Sequence, residues 1–251
     1  MAKQSGLIFI EGTMNNMTFF KTRDGVMLVK RKSCISKERL KNDPAFERLR
    51  RNNMEFSHAG KAAKLLRHSV RHVSNTISDG KIVSRLMKLM LAVVETDEIN
   101  THGSRNVGFG NLHYLKGFNF NERAALTSVF TVDFEHTVDR DMGQLKVRIN
   151  SFNPWSMVRP AAATHFKIIS VAAEIDFSND HFKNAGYESD ALPLNNATTV
   201  EIKIVHQLTV KSKLPIFLLL GVRYFIENGS NYDPVAGSDF NALRIVAVST
   251  V

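Results

Sequence analysis

Two histidines are spaced so that they could bind one metal ion. His68 and His72 are four residues apart in a segment that we predict to be helical, which would bring both imidazoles to one face. No glutamate completes a metalloprotease motif, and the neighbouring Arg67 and Arg71 would repel a cation. The pattern therefore favours a solvated basic face of the helix, and we predict no metal site.

The motifs that usually bind nucleotides or act in hydrolysis are incomplete. Gly80-Lys81 lacks the upstream glycine and the following Ser or Thr of a phosphate-binding loop, and Gly108-x-Gly110 lacks the third glycine of a dinucleotide-binding fingerprint. The sequence contains no Gly-x-Ser-x-Gly motif of the serine hydrolases. We therefore predict no catalytic and no cofactor-binding residues, and we expect that the protein is not an enzyme.

Two carboxylates and one aromatic residue have simpler interpretations. Asp133 and Glu135 alternate along a predicted strand, so they are expected on an exposed sheet face or opposite a partner's Lys or Arg rather than in acid–base catalysis. Trp155 is the only tryptophan, and its neighbours Asn153 and Pro154 are typical of a loop. We expect it to pack locally or to act as an interface anchor.

Basic side chains recur on the predicted helix, opposite its apolar residues. A protein that binds duplex DNA needs several such cations to replace the counterions of the phosphates. No helix-turn-helix, zinc-finger or RNA-binding aromatic motif accompanies them. The alternatives are a solvated face, contact with nucleic acid, or contact with another copy of the chain. The candidate interface or anion-contact residues are Arg48, Arg51, Lys61, Lys64, Arg67, Arg71 and Trp155.

Positive charge is concentrated in the N-terminal third of the chain. The 251 residues carry a formal net charge of +9. Residues 1–90 contain 19 Lys and Arg against 7 Asp and Glu, whereas residues 91–251 contain 14 against 17, which gives net charges of +12 and −3. This division suits head-to-tail contact between copies at least as well as it suits phosphate binding.

The composition is that of a globular protein. Hydrophobic residues make up 43% of the chain and charged residues 23%, which excludes collagen and disorder of the whole chain. The single cysteine, Cys34, excludes an internal disulfide. The N-terminus lacks a signal-peptide pattern, and apolar stretches such as residues 216–220 are far shorter than the about 20 residues that cross a bilayer. We predict no membrane span and synthesis in the cytoplasm, and we leave later release from the cell open.

A long helix is predicted over residues 44–77. Asp43 and Pro44 are typical of a helix start, and Asp79-Gly80 ends the pattern. A second amphipathic helix follows from Ile82 to Val94, so a helix pair or one long bent helix is expected. The small and apolar positions of the first helix repeat at spacings of three and four: Phe46, Leu49, Asn53, Phe56, Gly60, Ala63, Leu66, Val70, Val73 and Ile77.

Strands are predicted on both sides of these helices. Residues 7–10, 17–21 and 26–30 form a small meander, because Asp24-Gly25 is typical of a hairpin turn. After a glycine-rich connection, taken as flexible and as allowing close backbone approach, six further runs indicate an antiparallel sandwich or barrel. These runs are residues 130–138, 145–149, 165–177, 199–210, 216–226 and 243–248. Residues 216–220 are apolar on both faces, which predicts a central strand.

The predicted fold class is α+β, with four segments. They are a β-hairpin arm (residues 1–35), a basic helical segment (36–98), the glycine-rich connection (99–122) and an antiparallel β-sandwich domain (123–251).

Several short motifs occur along the chain and are clearest in its N-terminal half. They are Gly6-x5-Gly12, Met17-Thr18-Phe19-Phe20-Lys21-Thr22-x-Asp24-Gly25, Asn42-Asp43-Pro44-Ala45-Phe46-x-Arg48, Asn52-x2-Glu55-Phe56, Ala59-Gly60-Lys61-x2-Lys64-Leu65-Leu66-Arg67, Arg105-Asn106-Val107-Gly108 and Lys116-Gly117-Phe118-Asn119-Phe120-Asn121. With these motifs the sequence resembles an uncharacterised protein family that is widespread in Bacteroidota, through most of the chain and most sharply over residues 6–121. The resemblance implies a small cytosolic protein with a β-rich C-terminal half and no assigned reaction, so it implies no catalytic residues.

These patterns lead to two hypotheses about function. The first is a structural protein, not an enzyme, that self-assembles into a filament, tube or similar array through helix contacts and through the strand edges at residues 7–10 and 243–248. The alternative is a nucleic-acid-associated protein that binds the phosphate backbone through the basic helix at residues 44–77. Its partners would thus be other copies of itself or, in the alternative, nucleic acid.

Overall fold

The computed structural model describes residues 2–6, 8–32, 35–235 and 239–251. The predictions made for Leu7 and Cys34 lie outside these residues. The chain divides into two compact units, Met1–Arg50 and Arg51–Val251. Helices and antiparallel strands both contribute, and the C-terminal sheets curl into a half-barrel, which confirms the α+β class.

The first unit is built on a four-stranded antiparallel sheet. Its strands are β1 (Ala2–Lys3), β2 (Gly12–Met14), β3 (Met17–Lys21) and β4 (Met27–Arg31), in the order β1-β4-β3-β2. The predicted hairpin at Asp24-Gly25 is confirmed, because it joins β3 to β4 and Gly25 has a φ of 81°. The prediction of a strand at residues 7–10 is wrong for Ile8, Phe9 and Ile10, which lie between β1 and β2 outside any strand.

Four helices follow, of which the longest begins in the first unit. They are α1 (Lys37–Asn42), α2 (Glu47–Ser69), α3 (Arg71–Ser74) and α4 (Ile82–Glu95). Asp43 caps the 3-10 turn Pro44–Phe46 by accepting a hydrogen bond from the Ala45 N–H. The predicted continuous helix over residues 44–77 is interrupted at Val70, whose φ of −118° is not helical.

The buried face of α2 differs from the predicted one in its first turns. Phe56 is 57% exposed and Leu49 is also exposed, whereas Glu55 and Ala59 are buried. At Ala63 and Leu66 the predicted and the observed buried positions of the helix coincide. The prediction failed because Glu55 faces inward, where hydrogen bonds compensate its burial, and hydropathy alone assigns a glutamate to the solvent side.

The described part of the second unit contains two antiparallel sheets. Its further elements are α5 (Leu126–Val129), β5 (Phe134–Asp139), β6 (Gln144–Ile149), β7 (His165–Asp176), β8 (His181–Glu188), β9 (Leu192–Pro193), β10 (Ile202–Gln207), β11 (Ile216–Asn228), β12 (Asn231–Pro234) and β13 (Ala242–Ser249). In the larger sheet, β12, β11, β7 and β8 follow one another, β13 pairs with β11, and β9 pairs with β7. The smaller sheet has the order β10-β6-β5.

Both faces of the larger sheet are buried, each in its own core. Alternate residues of β7 and β11 pack with the helices α2 and α4 on one face and with the smaller sheet on the other. The helix-side core includes Ile169, Val171, Ala173, Phe217 and Leu219. The sheet-side core includes Ile168, Ala172, Leu218, Leu220 and Val147. The prediction that residues 216–220 form a central strand is confirmed, since β11 lies between β7 and β13.

Four of the six predicted C-terminal runs correspond closely to strands. The run 199–210 is a strand only over Ile202–Gln207, and the first run is partly wrong. Residues 126–129 form α5 and the strand begins only at Phe134, so Phe130 and Val132 precede it. The strands β8 and β12 were not predicted because their residues are mostly exposed and show little apolar alternation, and β9 has only two residues.

Candidate functional site

A buried ion pair fixes the glycine-rich loop to α2. Glu55 Oε1 accepts hydrogen bonds from Arg105 Nε at 2.7 Å and from the Gly103 N–H at 2.7 Å, and Oε2 accepts from Arg105 Nη2 at 2.9 Å. The hydrogen bond from Arg105 lowers the pKa of Glu55, and burial opposes this effect. The carboxylate is therefore charged at neutral pH and fully engaged in holding the loop.

A second carboxylate organises the beginning of the same loop. Asp97 accepts hydrogen bonds from the backbone N–H groups of Ile99, Asn100 and Asn106, each at 3.0 Å, and from the Asn100 amide at 2.9 Å. Burial alone would raise the pKa of Asp97, but these hydrogen bonds lower it overall. Asp97 is thus a structural residue rather than a proton donor.

The prediction of close backbone approach in this loop is confirmed at two glycines, whereas its predicted flexibility is not supported. A Cβ on Gly110 would lie 2.1 Å from the Val93 carbonyl oxygen. Gly103 has a φ of +99°, and a Cβ there would lie 2.8 Å from Cγ of Arg51. Because glycine permits these contacts and the carboxylates hold the backbone, the loop is a fixed part of the second unit.

Five basic side chains of α2 and α3 have no partner among the residues that the structure describes. Lys61, Lys64, His68 and Arg71 are exposed, and Arg67 is half-buried. None of them forms a hydrogen bond or an ion pair with any residue that the structure describes. Most arginines of the second unit do form hydrogen bonds or ion pairs with described residues, and these five side chains differ from them in forming none.

These side chains line two concave regions on the same helix. Lys61, Lys64 and His68 border a shallow groove of about 350 Å³ that also contains Leu65 and Asp180. A second pocket, of about 300 Å³, lies where α2 ends, and its lining residues are Arg67, His68, Arg71, Ser74, Asn75, Ser78 and Ile82. Four of the predicted residues are therefore grouped in pairs. Lys61 and Lys64 line the groove, Arg67 and Arg71 line the pocket, and His68 lines both.

The other three predicted residues lie apart from these concave regions. Arg48 belongs to the first unit and is exposed. Arg51 packs against Gly103 through its aliphatic stem. Trp155 lies in the turn between β6 and β7, where the guanidinium of Arg159 stacks 3.9 Å from its ring centroid. Trp155 is exposed and thus fits the predicted local packing only in part.

His68 and His72 do not converge on a common metal position. The Nε2 atom of His72 lies 3.0 Å from the position that a Cβ on Gly186 would occupy, so His72 packs against β8. His68 instead lines both concave regions of the basic helix. Across residues 2–6, 8–32, 35–235 and 239–251, no three His, Cys, Asp or Glu side chains are grouped as metal ligands.

A serine–histidine pair that the sequence did not reveal is buried inside the second unit. Ser170 Oγ lies 2.8 Å from His206 Nε2, and both residues are buried. Burial lowers the pKa of His206 to about 4, so the imidazole is neutral at physiological pH. A substrate has no access to this serine, and the pair therefore links β7 to β10 instead of forming a nucleophile. The one indication in the sequence is that His206 lies two residues after Ile204 in β10, so that the two side chains share the inward face of the strand.

Comparison of the sequence with protein-family models and with curated proteins finds no match. The resemblance to a Bacteroidota family therefore stays a prediction. The described part of the chain contains no helix with the length and hydrophobicity needed to traverse a lipid bilayer.

Proposed function

We propose that the protein is a structural protein, not an enzyme, that self-assembles into a filament, tube or similar array through its N-terminal unit. The observation that carries the proposal is the lack of a core there: none of the described residues between positions 2 and 50 is buried. A four-stranded sheet with strands of two to five residues needs a covered apolar face to be stable. Another copy of the chain would supply that cover.

An exposed apolar segment offers a direct means of contact. Ile8 is 82% exposed, Phe9 55% and Ile10 44%. The side chain of Gln4 pairs with the backbone of Ile10, at 3.0 Å to its N–H and 3.1 Å to its carbonyl oxygen. Ile8 and Phe9 form no backbone hydrogen bond with the described residues. An apolar segment with unpaired backbone groups is a good donor strand for a sheet of a second copy.

The strand edges differ in whether they are available. The outer edge of β2 has no neighbour within the described part of the first unit. The edge of β13 is covered, since Gly117 and Phe120 donate to the carbonyl oxygens of Ile245 and Leu243 at 2.7 and 2.8 Å, and the Ile245 N–H donates to Phe118. Strand addition at residues 243–245 would have to displace these hydrogen bonds, so the proposal rests on the N-terminal unit.

Charge favours contact between unlike regions. Residues 1–90 carry a net charge of +12 and residues 91–251 carry −3. The attraction between such regions in two copies orients them head to tail, and a heterologous contact of this kind builds an open array when its rotation does not close.

Size-exclusion chromatography with light scattering, combined with negative-stain electron microscopy, tests the proposal. We expect oligomers whose size grows with protein concentration, and the triple variant I8S/F9S/I10S should be monomeric. A matched control, V200S/V205S/V210S, removes three exposed valines of the second unit and should assemble normally. A monodisperse monomer at every salt and protein concentration would contradict the proposal.

A second candidate function is backbone contact with nucleic acid, which the unpaired basic residues of α2 favour. Lys61, Lys64 and Arg71 are exposed and have no partner in the described chain. Binding to arbitrary duplex DNA should then weaken steeply with salt. The variant K61Q/K64Q/R71Q should reduce the slope of log affinity against log salt by about 0.9 for each lost phosphate contact. Absence of DNA binding at low salt would eliminate this candidate.

A further inference from the structure

The pocket at the end of α2 has the geometry of a small anion site. α2 ends at Ser69 and α3 begins at Arg71, and residues 67, 71, 74, 75 and 78 line one concavity of about 300 Å³ at this junction. Ile82, the first residue of α4, contributes the apolar part of its wall. The remaining lining side chains all carry hydrogen-bonding groups.

The arginines of this pocket have unused hydrogen-bonding capacity. Arg67 Nε is buried and forms no hydrogen bond with the residues that the structure describes. Arg71 is exposed and, over the same residues, has no acceptor. Buried donors are nearly always paired in native proteins, so the orphaned Nε of Arg67 requires an acceptor from outside the chain or a small rotation toward one.

No carboxylate competes for these arginines. The lining contains no Asp or Glu. Asp79, which directly follows Ser78, is occupied elsewhere: its Oδ2 accepts from Arg85 Nη2 at 2.7 Å and from the Glu122 N–H at 2.8 Å, and its Oδ1 accepts from the Lys81 N–H at 2.8 Å. Burial opposes ionisation of Asp79, but these hydrogen bonds lower its pKa. The positive charge of the pocket is therefore not neutralised internally.

From these observations we infer that the pocket binds the phosphoryl group of a small molecule. Two guanidinium groups offer planar pairs of donors that match phosphate oxygens, and the hydroxyl groups of Ser74 and Ser78 add neutral donors. A phosphoryl group supplies several acceptor oxygens and the negative charge that the arginines lack. The pocket is local and concave, which suits a compact anion better than an extended duplex. The inference does not depend on self-assembly.

Titration calorimetry of the full-length chain with sodium pyrophosphate, and separately with inorganic phosphate, tests the inference. We expect saturable one-site binding of pyrophosphate. R67Q/R71Q should weaken it about a hundredfold, at about tenfold for each lost charge-assisted contact. The matched control K61Q/K64Q removes the same amount of charge from α2 outside the pocket, and should change the affinity less than about threefold.

A further variant distinguishes binding in this pocket from general electrostatic attraction between the anion and the basic surface. R67K keeps the charge but loses the planar fork, so it should still weaken binding about tenfold. Thermal unfolding checks that each variant is folded, and R71Q alone changes an exposed residue if R67Q/R71Q is unstable. Failure to bind pyrophosphate, or an equal loss of affinity in the two double variants, would overturn the inference.

Discussion

The two units of the chain use β-structure in opposite ways. In the second unit, β7 and β11 bury side chains on both faces, against helices on one side and against a second sheet on the other. In the first unit, the sheet of short strands has intermediate or exposed side chains at every described position. Hydrogen-bonded pairing alone contributes little net stability, so buried cores stabilise the second unit, whereas burial contributes little to the described part of the first.

The largest expected effect tests the core of the second unit. Phe217 is fully buried in the helix-side core, and F217A should lower the free energy of unfolding by about 3–5 kcal/mol. The corresponding change in the first unit, F19A, removes a half-buried ring and should cost less than about 1 kcal/mol. Urea unfolding followed by circular dichroism measures both. Similar losses at the two positions would remove the contrast between the units.

The buried ion pair should give the next largest effect. E55Q removes the charge that accepts three hydrogen bonds and leaves Arg105 without its counterion, so stability at neutral pH should fall by about 2–4 kcal/mol. E98Q changes an exposed glutamate and should be nearly neutral. Urea unfolding of the two variants compares them directly, and equal stabilities would show that the pair does not hold the loop.

The stability of the folded protein should depend on pH through Glu55. The pKa of Glu55 is lower in the folded protein than in the unfolded chain, mainly because of Arg105. Its contribution is therefore present above the ordinary pKa of a glutamate and is lost as the pH falls through the lower, folded value. The unfolding free energy of the wild type should decrease more steeply in this acidic range than that of E55Q. Parallel pH profiles would contradict this linkage.

A smaller effect is expected at the closest backbone approach. G110A would place a Cβ 2.1 Å from the Val93 carbonyl oxygen, and the resulting displacement of α4 or of the loop should cost about 1–3 kcal/mol. A Cβ on Gly80 would meet no atom within 4 Å, so G80A is the matched control and should change stability little. Differential scanning calorimetry of the pair would reveal a lower Tm for G110A alone.

The smallest effect on stability is expected at the N-terminal segment. I8S/F9S/I10S removes exposed side chains and should leave the unfolding of the second unit unchanged within about 0.5 kcal/mol, although it should abolish assembly. Chemical unfolding and light scattering on the same samples separate the two outcomes. A large loss of monomer stability would indicate that the segment is part of a core.

The sequence predicts best those parts of the fold that bury many apolar residues. Residues 216–220 are apolar at every position, and a strand buries such a run only when both of its faces are covered. The central position of β11 could therefore be predicted from the sequence. The turn at Asp24-Gly25 could also be predicted, because an Asp-Gly pair between two strands is typical of a hairpin turn in which glycine has a positive φ. Edge strands carry less information, and β8 was missed because its exposed residues include His181, Lys183 and Asn184.

The features of the site that sequence could not supply depend on pairing between distant residues. Glu55 and Arg105 are ordinary exposed types in any hydropathy pattern, and only their contact explains why Glu55 faces inward and why Phe56 does not. The same holds for Ser170 and His206. The basic residues of α2 were identified from their spacing, but the interruption at Val70 that groups Arg67 and Arg71 around a pocket was not, because Val70 fits the helical repeat.

The cover on β13 has a consequence for how the second unit folds. The residues that complete this edge, 117–120, precede β13 by more than 120 positions, so β11 and the helix-side core are finished only after residues 242–249 have been synthesised. Contacts of such long sequence separation form slowly, because the loop between them must close first. Until β13 has paired with it, the apolar central strand β11 has an open edge, and an unpaired apolar strand edge is prone to aggregation.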